Sequence, residues 1–317
     1  RCHRSRLNIR KTDMADSVDI ARIQKTITAP RAASLGDYFE LTKPRLSLLV
    51  LFSALVGLCQ AMGGTPELAI AFHLLVGTAL AAGGASALNM FLERDSDARM
   101  QRTENRPLPT GRLSEAEVKN FGIAVSIAGI VYLALFCSPA AAFLGALTVV
   151  TYVACYTPLK KISSVSTVVG AVPGALPILI GWSASGRAIT SEAWILFSIL
   201  FLWQLPHFLA IAWRYREDYA RAGYAMLPVE DPGGMSTARQ VILQTMGLIA
   251  ASLTPAFFGN AGALYFYSAL GLGVLFLTFG ILFAIKRDNH RARSLFIASI
   301  IYLPLLLAFL TADAVVS

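Results

Sequence analysis

The chain has 317 residues, of which 56% are hydrophobic and 15% are charged, whereas soluble domains carry about 25% charged residues. This composition excludes an ordinary soluble domain. It predicts an all-α polytopic membrane protein with helices of about 20 apolar residues each. The net charge of +8 would suit nucleic acid, but the positions of the basic residues relate it to membrane orientation, so we expect no nucleic-acid partner.

The first forty residues are polar and contain no apolar stretch of the kind that a secretory signal requires. We expect residues 1–40 to be a mostly disordered cytoplasmic tail in front of a membrane domain over 41–317. Arginines near the start are typical of a mitochondrial transit peptide, but three aspartates follow by residue 19, and Met14 is an alternative start. The expected location is the cell inner membrane, or the mitochondrial inner membrane in a eukaryote.

Nine apolar segments follow, and we predict that each forms a transmembrane helix. They cover approximately 46–62, 68–90, 121–138, 140–157, 166–184, 193–213, 240–258, 262–285 and 295–312. With the N-terminus in the cytoplasm, 26 of the 27 lysines and arginines fall on the cytoplasmic side and only Arg187 lies opposite. This distribution follows the positive-inside rule and places residues 94–119 in the cytoplasm.

The second apolar segment ends in a row of oxygen-bearing side chains, Asn89, Glu93 and Asp97. Residues spaced i, i+4 and i+8 lie on one face of an α-helix. Carboxylate and amide oxygens are the ligands that Mg²⁺ prefers. We therefore predict that all three residues are catalytic and bind Mg²⁺.

Arginines follow this row closely, among them Arg94, Arg102 and Arg106. Guanidinium groups bind phosphate oxygens bidentately, so a metal beside these arginines indicates a site for a bound diphosphate. A solvated loop that obeys the positive-inside rule is the alternative. It explains the arginines but not the helical spacing of the acids.

A second charged cluster, Arg214, Glu217 and Asp218, follows the sixth segment. The second and sixth segments run in the same direction, which suggests a parallel internal repeat. Two facing carboxylate clusters could hold two Mg²⁺ ions on one diphosphate, so we predict Glu217 and Asp218 as metal ligands, Asp218 as catalytic and Arg214 as substrate-binding. The alternative is an interfacial salt-bridge group with Arg214 and Arg221.

The two clusters lie in sequence runs that resemble the UbiA superfamily of intramembrane prenyltransferases and, within it, the branch that farnesylates protohaem IX. The first run, Asn89–Leu108, matches N-x-x-x-[D/E]-R-D-x-D-x-x-M-x-R-T-x-x-R-P-L, with Glu93 where many members have Asp. Further matching runs are Leu41–Arg45 (LTKPR), Tyr156–Lys161 (YTPLKK), Gly170–Gly174 (GAVPG), Trp203–Phe208 (WQLPHF) and Asp218–Pro228 (DYARAGYAMLP). The resemblance covers residues 36 to about 310.

The resemblance implies a UbiA-type bundle and an Mg²⁺-dependent transfer of the farnesyl group from farnesyl diphosphate to a vinyl group of haem B. The product is haem O, which serves terminal oxidase assembly. The expected partners are farnesyl diphosphate, haem B and the lipid bilayer, and a haem A synthase is a candidate protein partner.

The resemblance also suggests roles for residues outside the two clusters. Lys160 and Lys161 are candidate phosphate contacts, and Tyr156 with Tyr152 could present π-faces to the farnesyl cation, although both tyrosines also suit an ordinary membrane interface. His207 precedes Asp218 by eleven residues, which on a continuous helix places it on a similar face and about 16 Å deeper. It is a candidate haem contact, or else a hydrogen-bonded histidine of the bundle.

Three other functions compete with this interpretation. A UbiA-type prenyltransferase could act on an aromatic or quinone precursor. A CDP-alcohol phosphotransferase would need an Asp-Gly-x-x-Ala-Arg run, which the sequence lacks. A cation-coupled transporter would carry its acids near the bilayer midplane in broken helices, whereas the acids here lie at helix ends beside arginines.

Overall fold

The chain forms a bundle of long apolar helices. A computed structural model describes residues 33–316, and the described residues contain no strand. Nine of their helices are long and apolar enough to cross a membrane, which confirms the predicted fold class. Most of the predicted tail, including Met14, lies outside the described residues.

The helices have the following bounds in chain order: α1 (Leu35–Leu41), α2 (Pro44–Met62), α3 (Leu68–Asp97), α4 (Glu115–Phe136), α5 (Pro139–Leu159), α6 (Ser166–Ala184), α7 (Ser191–Arg214), α8 (Arg216–Arg221), α9 (Leu227–Glu230), α10 (Met235–Phe257), α11 (Ala263–Lys286) and α12 (Asn289–Val316). The short helices α1, α8 and α9 lie outside the nine spans. Helix α1 begins before residue 41, where we placed the start of the membrane domain.

Helix α3 is longer than a membrane crossing requires. Its 30 residues extend about 45 Å, whereas the hydrocarbon core of a bilayer is about 30 Å thick. The apolar part from Leu68 to Leu88 is sufficient to cross that core. The polar turns that follow, from Asn89 to Asp97, therefore stand at the level of the lipid headgroups on the side that we assign to the cytoplasm.

Helix α6 is the central helix of the bundle. Within its apolar window 72% of the residues are buried, against 56% or less in the other eight spans of the described chain. Glycines bring α6 close to α2, because a Cβ atom at Gly57 would overlap the carbonyl oxygen of Ile178, and one at Gly181 would overlap that of Ala54. This backbone-to-backbone contact fixes one wall of the space in which the functional side chains meet.

The loop between α3 and α4 is held by α1. Arg112, near the end of this loop, bonds the carboxylates of Asp37 at 2.5 Å and Glu40 at 3.0 Å. It also donates to the carbonyl oxygen of Asn105 at 2.6 Å. Ser114 then caps α4 and forms a capping box with Glu117. The loop, which carries the predicted phosphate-binding arginines, is thus fixed from both sides.

The topology predicts a cytoplasmic location for residues 94–119 and the opposite location for residues 185–190. Reporter fusions at these two loops should give opposite results, because the basic residues orient the helices during insertion. An alkaline phosphatase fusion that is active in the first loop would contradict this orientation and the cytoplasmic placement of the site.

Replacing Gly57 with alanine should lower the thermal unfolding temperature of the detergent-solubilised protein. The added methyl group meets a backbone oxygen that cannot rotate away, and such overpacking costs about 1–3 kcal/mol. Gly271→Ala is the matched control, because a Cβ atom at this helical position meets nothing within 4 Å. Equal unfolding temperatures for both variants would show that the α2–α6 contact is not tight.

Candidate active site

A cavity of about 360 Å³ opens inside the bundle at the end where α3 projects beyond its apolar part. The charged residues that line it are Lys43, Glu93, Asp97, Arg102, Arg106 and Lys160. Its deeper lining is mainly apolar and includes Val50, Pro177, Leu200, Trp203 and Leu303. The cavity therefore has a charged mouth, with four cationic groups and two carboxylates, and an apolar inner part, which we call its floor.

The predicted row on α3 lines this cavity, and each of its members contacts a cation. Asn89 Oδ1 accepts a hydrogen bond from Lys43 Nζ at 2.7 Å. Glu93 Oε1 pairs with Lys160 Nζ at 2.6 Å, and one oxygen of Asp97 pairs with Arg106 at 2.6 Å. All three α3 side chains are buried, with exposed fractions of 5% or less.

The oxygen atoms of this row fit Mg²⁺. The second carboxylate oxygen of Asp97 is buried and has no hydrogen-bond partner among the described residues, so it is available for a ligand. Nowhere in the described part of the chain do three or more His, Cys, Asp or Glu residues form a group that could hold a metal. Two carboxylates are nonetheless enough, because Mg²⁺ commonly takes one or two carboxylates and completes its shell with water and substrate phosphate oxygens.

Lys43, for which the sequence predicted no role, lies beside Asn89. Its backbone is in the left-handed region (φ 48°), directly before Pro44, and residues with a side chain rarely adopt this conformation. Burial, together with the charge of Arg106, lowers the pKa of the Lys43 ammonium to about 7. The LTKPR run that contains Lys43 was the available signal, but nothing in its local spacing points to α3.

Lys160 is enclosed by a carboxylate and aromatic rings. Its Nζ lies 4.4 Å from the ring centre of Tyr156 and 5.8 Å from that of Tyr224. Burial alone would lower the pKa of Lys160, but the Glu93 carboxylate holds it well above its usual value, so this lysine stays charged. Its carbonyl oxygen also accepts a hydrogen bond from the Ala225 amide at 2.8 Å, which ties the end of α5 to the loop after α8.

Tyr152 and Tyr156 both line the cavity, and their ring centres are 5.5 Å apart. They belong to a π-helical turn, Thr151–Tyr156, inside α5. Such turns are rare and occur frequently at functional sites. The turn leads into Thr157, whose hydroxyl accepts a hydrogen bond from Asn89 at 3.0 Å and donates to the Tyr152 carbonyl at 2.8 Å. These contacts fix the position of the aromatic pair relative to the row of Asn89, Glu93 and Asp97 on α3, which we call the acid row.

The three predicted arginines of the first cluster have different positions. Arg102 and Arg106 line the cavity mouth, where Arg102 lies 5.1 Å from the Tyr215 ring and within 3.4 Å of the Tyr219 hydroxyl. Arg94 does not line it, because its guanidinium pairs with Glu115 on α4 at 2.8 Å.

Two further predicted contacts also lie outside the lining. Lys161 is exposed. Arg214 packs on the rings of Tyr215 and Phe296. Neither residue borders the cavity, so the structure does not bring them to the acid row.

The second acidic cluster is not assembled as expected. Helix α7 ends at Arg214, Tyr215 leaves the helical conformation (φ −112°, ψ 21°), and α8 begins a separate helix. Neither Glu217 nor Asp218 lines the cavity, and Asp218 forms an ion pair with Arg221. The interpretation that placed Asp218 and His207 on one continuous helix is therefore wrong.

Side-chain contacts of Arg216 stabilise the break after α7. Arg216 donates to the carbonyl oxygen of Trp213 at 2.9 Å and to the side chain of Asn289 at 2.9 Å. It thereby satisfies a carbonyl at the end of α7 that a continuing helix would have bonded, and it ties the break to the start of α12.

His207 nevertheless lines the deeper part of the cavity. Its Nδ1 is hydrogen-bonded to the Ser299 hydroxyl at 2.7 Å, and its ring stacks between Trp203 and Phe296, each with a centroid distance of 5.0 Å. These contacts fix the ring and leave Nε2 for another partner. His73 differs, because it bonds the Tyr132 hydroxyl at 2.8 Å and does not line the cavity.

Gln204 is a second cavity residue for which the sequence predicted no role. It is buried, and its amide nitrogen donates to the carbonyl oxygen of Leu200 at 3.1 Å. A Cβ atom at Gly174 would overlap the Gln204 amide oxygen, so the glycine provides the space for this side chain. An amide inside an apolar helix was the signal that could have identified it.

Comparisons with known proteins identify the family. The model of the UbiA prenyltransferase family matches residues 50–308. A protoheme IX farnesyltransferase from Solibacter usitatus is 47% identical over 288 residues, which cover 88% of this chain and 99% of that protein. One from Opitutus terrae is 43% identical over 282 residues, with 89% and 95% covered.

Solved structures agree with the fold. A digeranylgeranylglyceryl phosphate synthase structure gives a TM-score of 0.76 at 16% identity, over 89% of this chain and 99% of that chain. A UbiA homologue from Archaeoglobus fulgidus, bound to DMAPP and Mg²⁺, gives a TM-score of 0.60 at 16% identity, with 87% and 99% covered. This chain therefore belongs to the UbiA prenyltransferase family, in the group of the protoheme IX farnesyltransferases.

Proposed function

We propose that this protein transfers the farnesyl group of farnesyl diphosphate to a vinyl group of haem B and so forms haem O for terminal oxidase assembly. The observation that carries the proposal is the cavity with an acid row and four cations at its mouth and an apolar, aromatic floor. Such a cavity suits an amphiphile with a diphosphate at one end and an isoprenoid chain at the other. The similarity to protoheme IX farnesyltransferases supports haem B as the acceptor.

The acid row is the proposed metal site. Asn89, Glu93 and Asp97 would hold Mg²⁺, which neutralises the charge that develops on the diphosphate as its bond to the farnesyl C1 breaks. The A. fulgidus homologue that binds DMAPP and Mg²⁺ supports this metal. Asp218 and Glu217 lie outside the cavity lining. To bind the metal as a further ligand, Asp218 would have to break its ion pair with Arg221, and Glu217 would have to move toward the cavity as well.

The cations of the mouth are the proposed diphosphate contacts. Arg102, Arg106 and Lys160 line the cavity, and charged donors already fixed in a buried site stabilise a departing anion without reorganisation. Lys43 joins them on the evidence of its contact with Asn89. Arg94, Lys161 and Arg214 would reach the diphosphate only after leaving their present positions.

The floor of the cavity protects the farnesyl cation. Tyr152 and Tyr156 can face the developing positive charge with their rings, and the apolar lining excludes water that would quench the cation early. The new carbon–carbon bond forms between the farnesyl C1 and the haem vinyl group. Water then adds to the resulting carbocation with loss of a proton, which gives the hydroxyethylfarnesyl side chain.

His207 is the proposed haem contact. Because Ser299 engages Nδ1, Nε2 is the nitrogen that could ligate iron or bond a propionate. Trp203 lines the cavity beside His207 and gives the porphyrin an aromatic neighbour. The histidine is about 7.5 Å along α7 from Ala212, which lies nearer the mouth, so the acceptor would lie deeper than the diphosphate.

Two alternatives remain to be tested against this proposal. An aromatic or quinone precursor could be the acceptor, and the aromatic floor would accept it. A cation-coupled transporter is disfavoured by the position of the acids, which stand beyond the apolar part of α3. The location in the inner membrane, and association with a haem A synthase, are proposals that follow from the expected product.

Membranes that contain this protein should form haem O from farnesyl diphosphate and haem B in the presence of Mg²⁺. Asp97→Asn should lower the rate by at least about a hundredfold, because it removes a buried charge that stabilises the transition state while it keeps the volume. The rate is measured by chromatography of extracted haems. Asp95→Asn is the matched control, because Asp95 is exposed two residues away.

Prenylation of an aromatic acid with no product from haem B would overturn the choice of acceptor. Normal haem O formation by Asp97→Asn at saturating Mg²⁺ would show instead that the α3 row is not the metal site, even if the reaction itself is correct.

His207→Ala should weaken haem B binding about tenfold or more, because the loss of a charge-assisted hydrogen bond or an iron ligand is at least of that size. The affinity for a non-hydrolysable farnesyl diphosphate analogue should stay within a factor of two. His73→Ala, which removes another membrane histidine outside the cavity, should change neither. Separate titrations of the two compounds decide the matter, and loss of analogue binding with intact haem binding would overturn the assignment.

A further inference from the structure

A second cavity, of about 400 Å³, lies at the opposite end of the bundle. Its lining comes from the ends of α2 and α6, the start of α7 and the connections near them. Arg187 lines the cavity and is the one lysine or arginine that the predicted topology places on this side of the membrane. The proposed reaction does not involve this cavity. The polar groups that line this cavity are Gln60, Arg187, Thr190, Glu192 and Asn260.

Opposite charges line this cavity without pairing with each other. None of the ion pairs in the described part of the chain includes Arg187 or Glu192. A single anion would be attracted by the guanidinium and repelled by the carboxylate. A molecule that carries both a phosphate and an ammonium group matches both charges.

The loop that carries Arg187 has a defined conformation. The Trp182 indole donates to the carbonyl oxygen of Ala188 at 3.0 Å, and the Arg187 amide donates to the Ser185 hydroxyl at 3.2 Å. Gly186 takes the left-handed turn between them (φ 76°). The backbone of the loop that carries the Arg187 side chain is therefore held in place without a bound group.

Aromatic side chains mark the level of this cavity in the membrane. Trp194, Phe257 and Phe258 are exposed by 52%, 75% and 72%, and they follow or precede cavity residues closely in the chain. Aromatic rings concentrate where the acyl chains of a bilayer meet the headgroups. Below the polar groups, Trp182 and Leu196 give the cavity an apolar base.

We propose that this cavity binds the headgroup of a zwitterionic phospholipid with a primary ammonium, such as phosphatidylethanolamine. Arg187 takes the phosphate through its paired donors, and Glu192 accepts hydrogen bonds from the ammonium group. The amides of Gln60 and Asn260 supply neutral donors and acceptors around the ester oxygens. A choline headgroup cannot donate to Glu192, and a glycerol headgroup leaves this carboxylate beside a net negative charge.

The test is native mass spectrometry of the delipidated full-length protein, titrated with ethanolamine, choline and glycerol phospholipids of the same acyl chains. The ethanolamine lipid should bind at least about fivefold more tightly than the other two. Arg187→Gln and Glu192→Gln should each lower its affinity about tenfold, whereas Arg187→Lys, which keeps the charge but loses the paired donors, should lower it less than Arg187→Gln does. Arg239→Gln, an exposed arginine at the other end of the bundle, is the control and should have no effect.

Two results would overturn the proposal. Equal affinities for all three lipids, unchanged by the variants, would show that the cavity does not select a headgroup. A simple anion site would be identified by two findings together. The natural protein would show no preference for the ethanolamine lipid, and Glu192→Gln would bind the glycerol lipid more tightly than the natural protein does. Because Glu192→Gln conserves volume, it decides the question even if an Arg187 variant folds poorly.

Discussion

The site depends on the pairing of each oxygen-bearing side chain of the α3 row with a cation from a different part of the chain. Lys43 precedes α2, Arg106 lies in the loop after α3, and Lys160 follows α5. A buried carboxylate without such a partner would be strongly destabilising, so the acid row can exist at the bundle mouth only because these elements converge there. The same pairing places the proposed phosphate-binding groups beside the proposed metal site before any substrate binds.

The remainder of the fold serves this convergence. The glycine contacts between α2 and α6 hold α2, which begins directly after Lys43, against the central helix, and the excess length of α3 lifts the row out of the hydrocarbon. Lining residues from α2, α5, α6 and α7 then enclose an apolar space directly below the charges. A reactive cation and a hydrated metal complex need opposite surroundings, and the boundary between membrane core and headgroup region provides both within a few turns of helix.

The fold and the acid row could be predicted because both depend on local patterns. Nine apolar segments of sufficient length can only be helices in a bilayer, and the spacing of Asn89, Glu93 and Asp97 fixes their common face. The failures depend on contacts between distant residues. Arg94 turns to Glu115 on the next helix, and the break at Tyr215 depends on Arg216 reaching Asn289. The role of Lys43 depends on an unusual backbone angle before a proline, which no periodicity reveals.

The π-helical turn in α5 has a consequence for how this protein can change over time. Such a turn closes its hydrogen bonds over one residue more than an α-helical turn does, and it absorbs that residue within one widened turn. Loss of a single amino acid between Thr151 and Tyr156 would therefore restore a regular α-helix and keep Lys160 on the face that meets Glu93, but it would remove the widened backbone that carries Tyr152 and Tyr156. The number of residues in this helix thus affects the aromatic pair before it affects the charged group at the helix end.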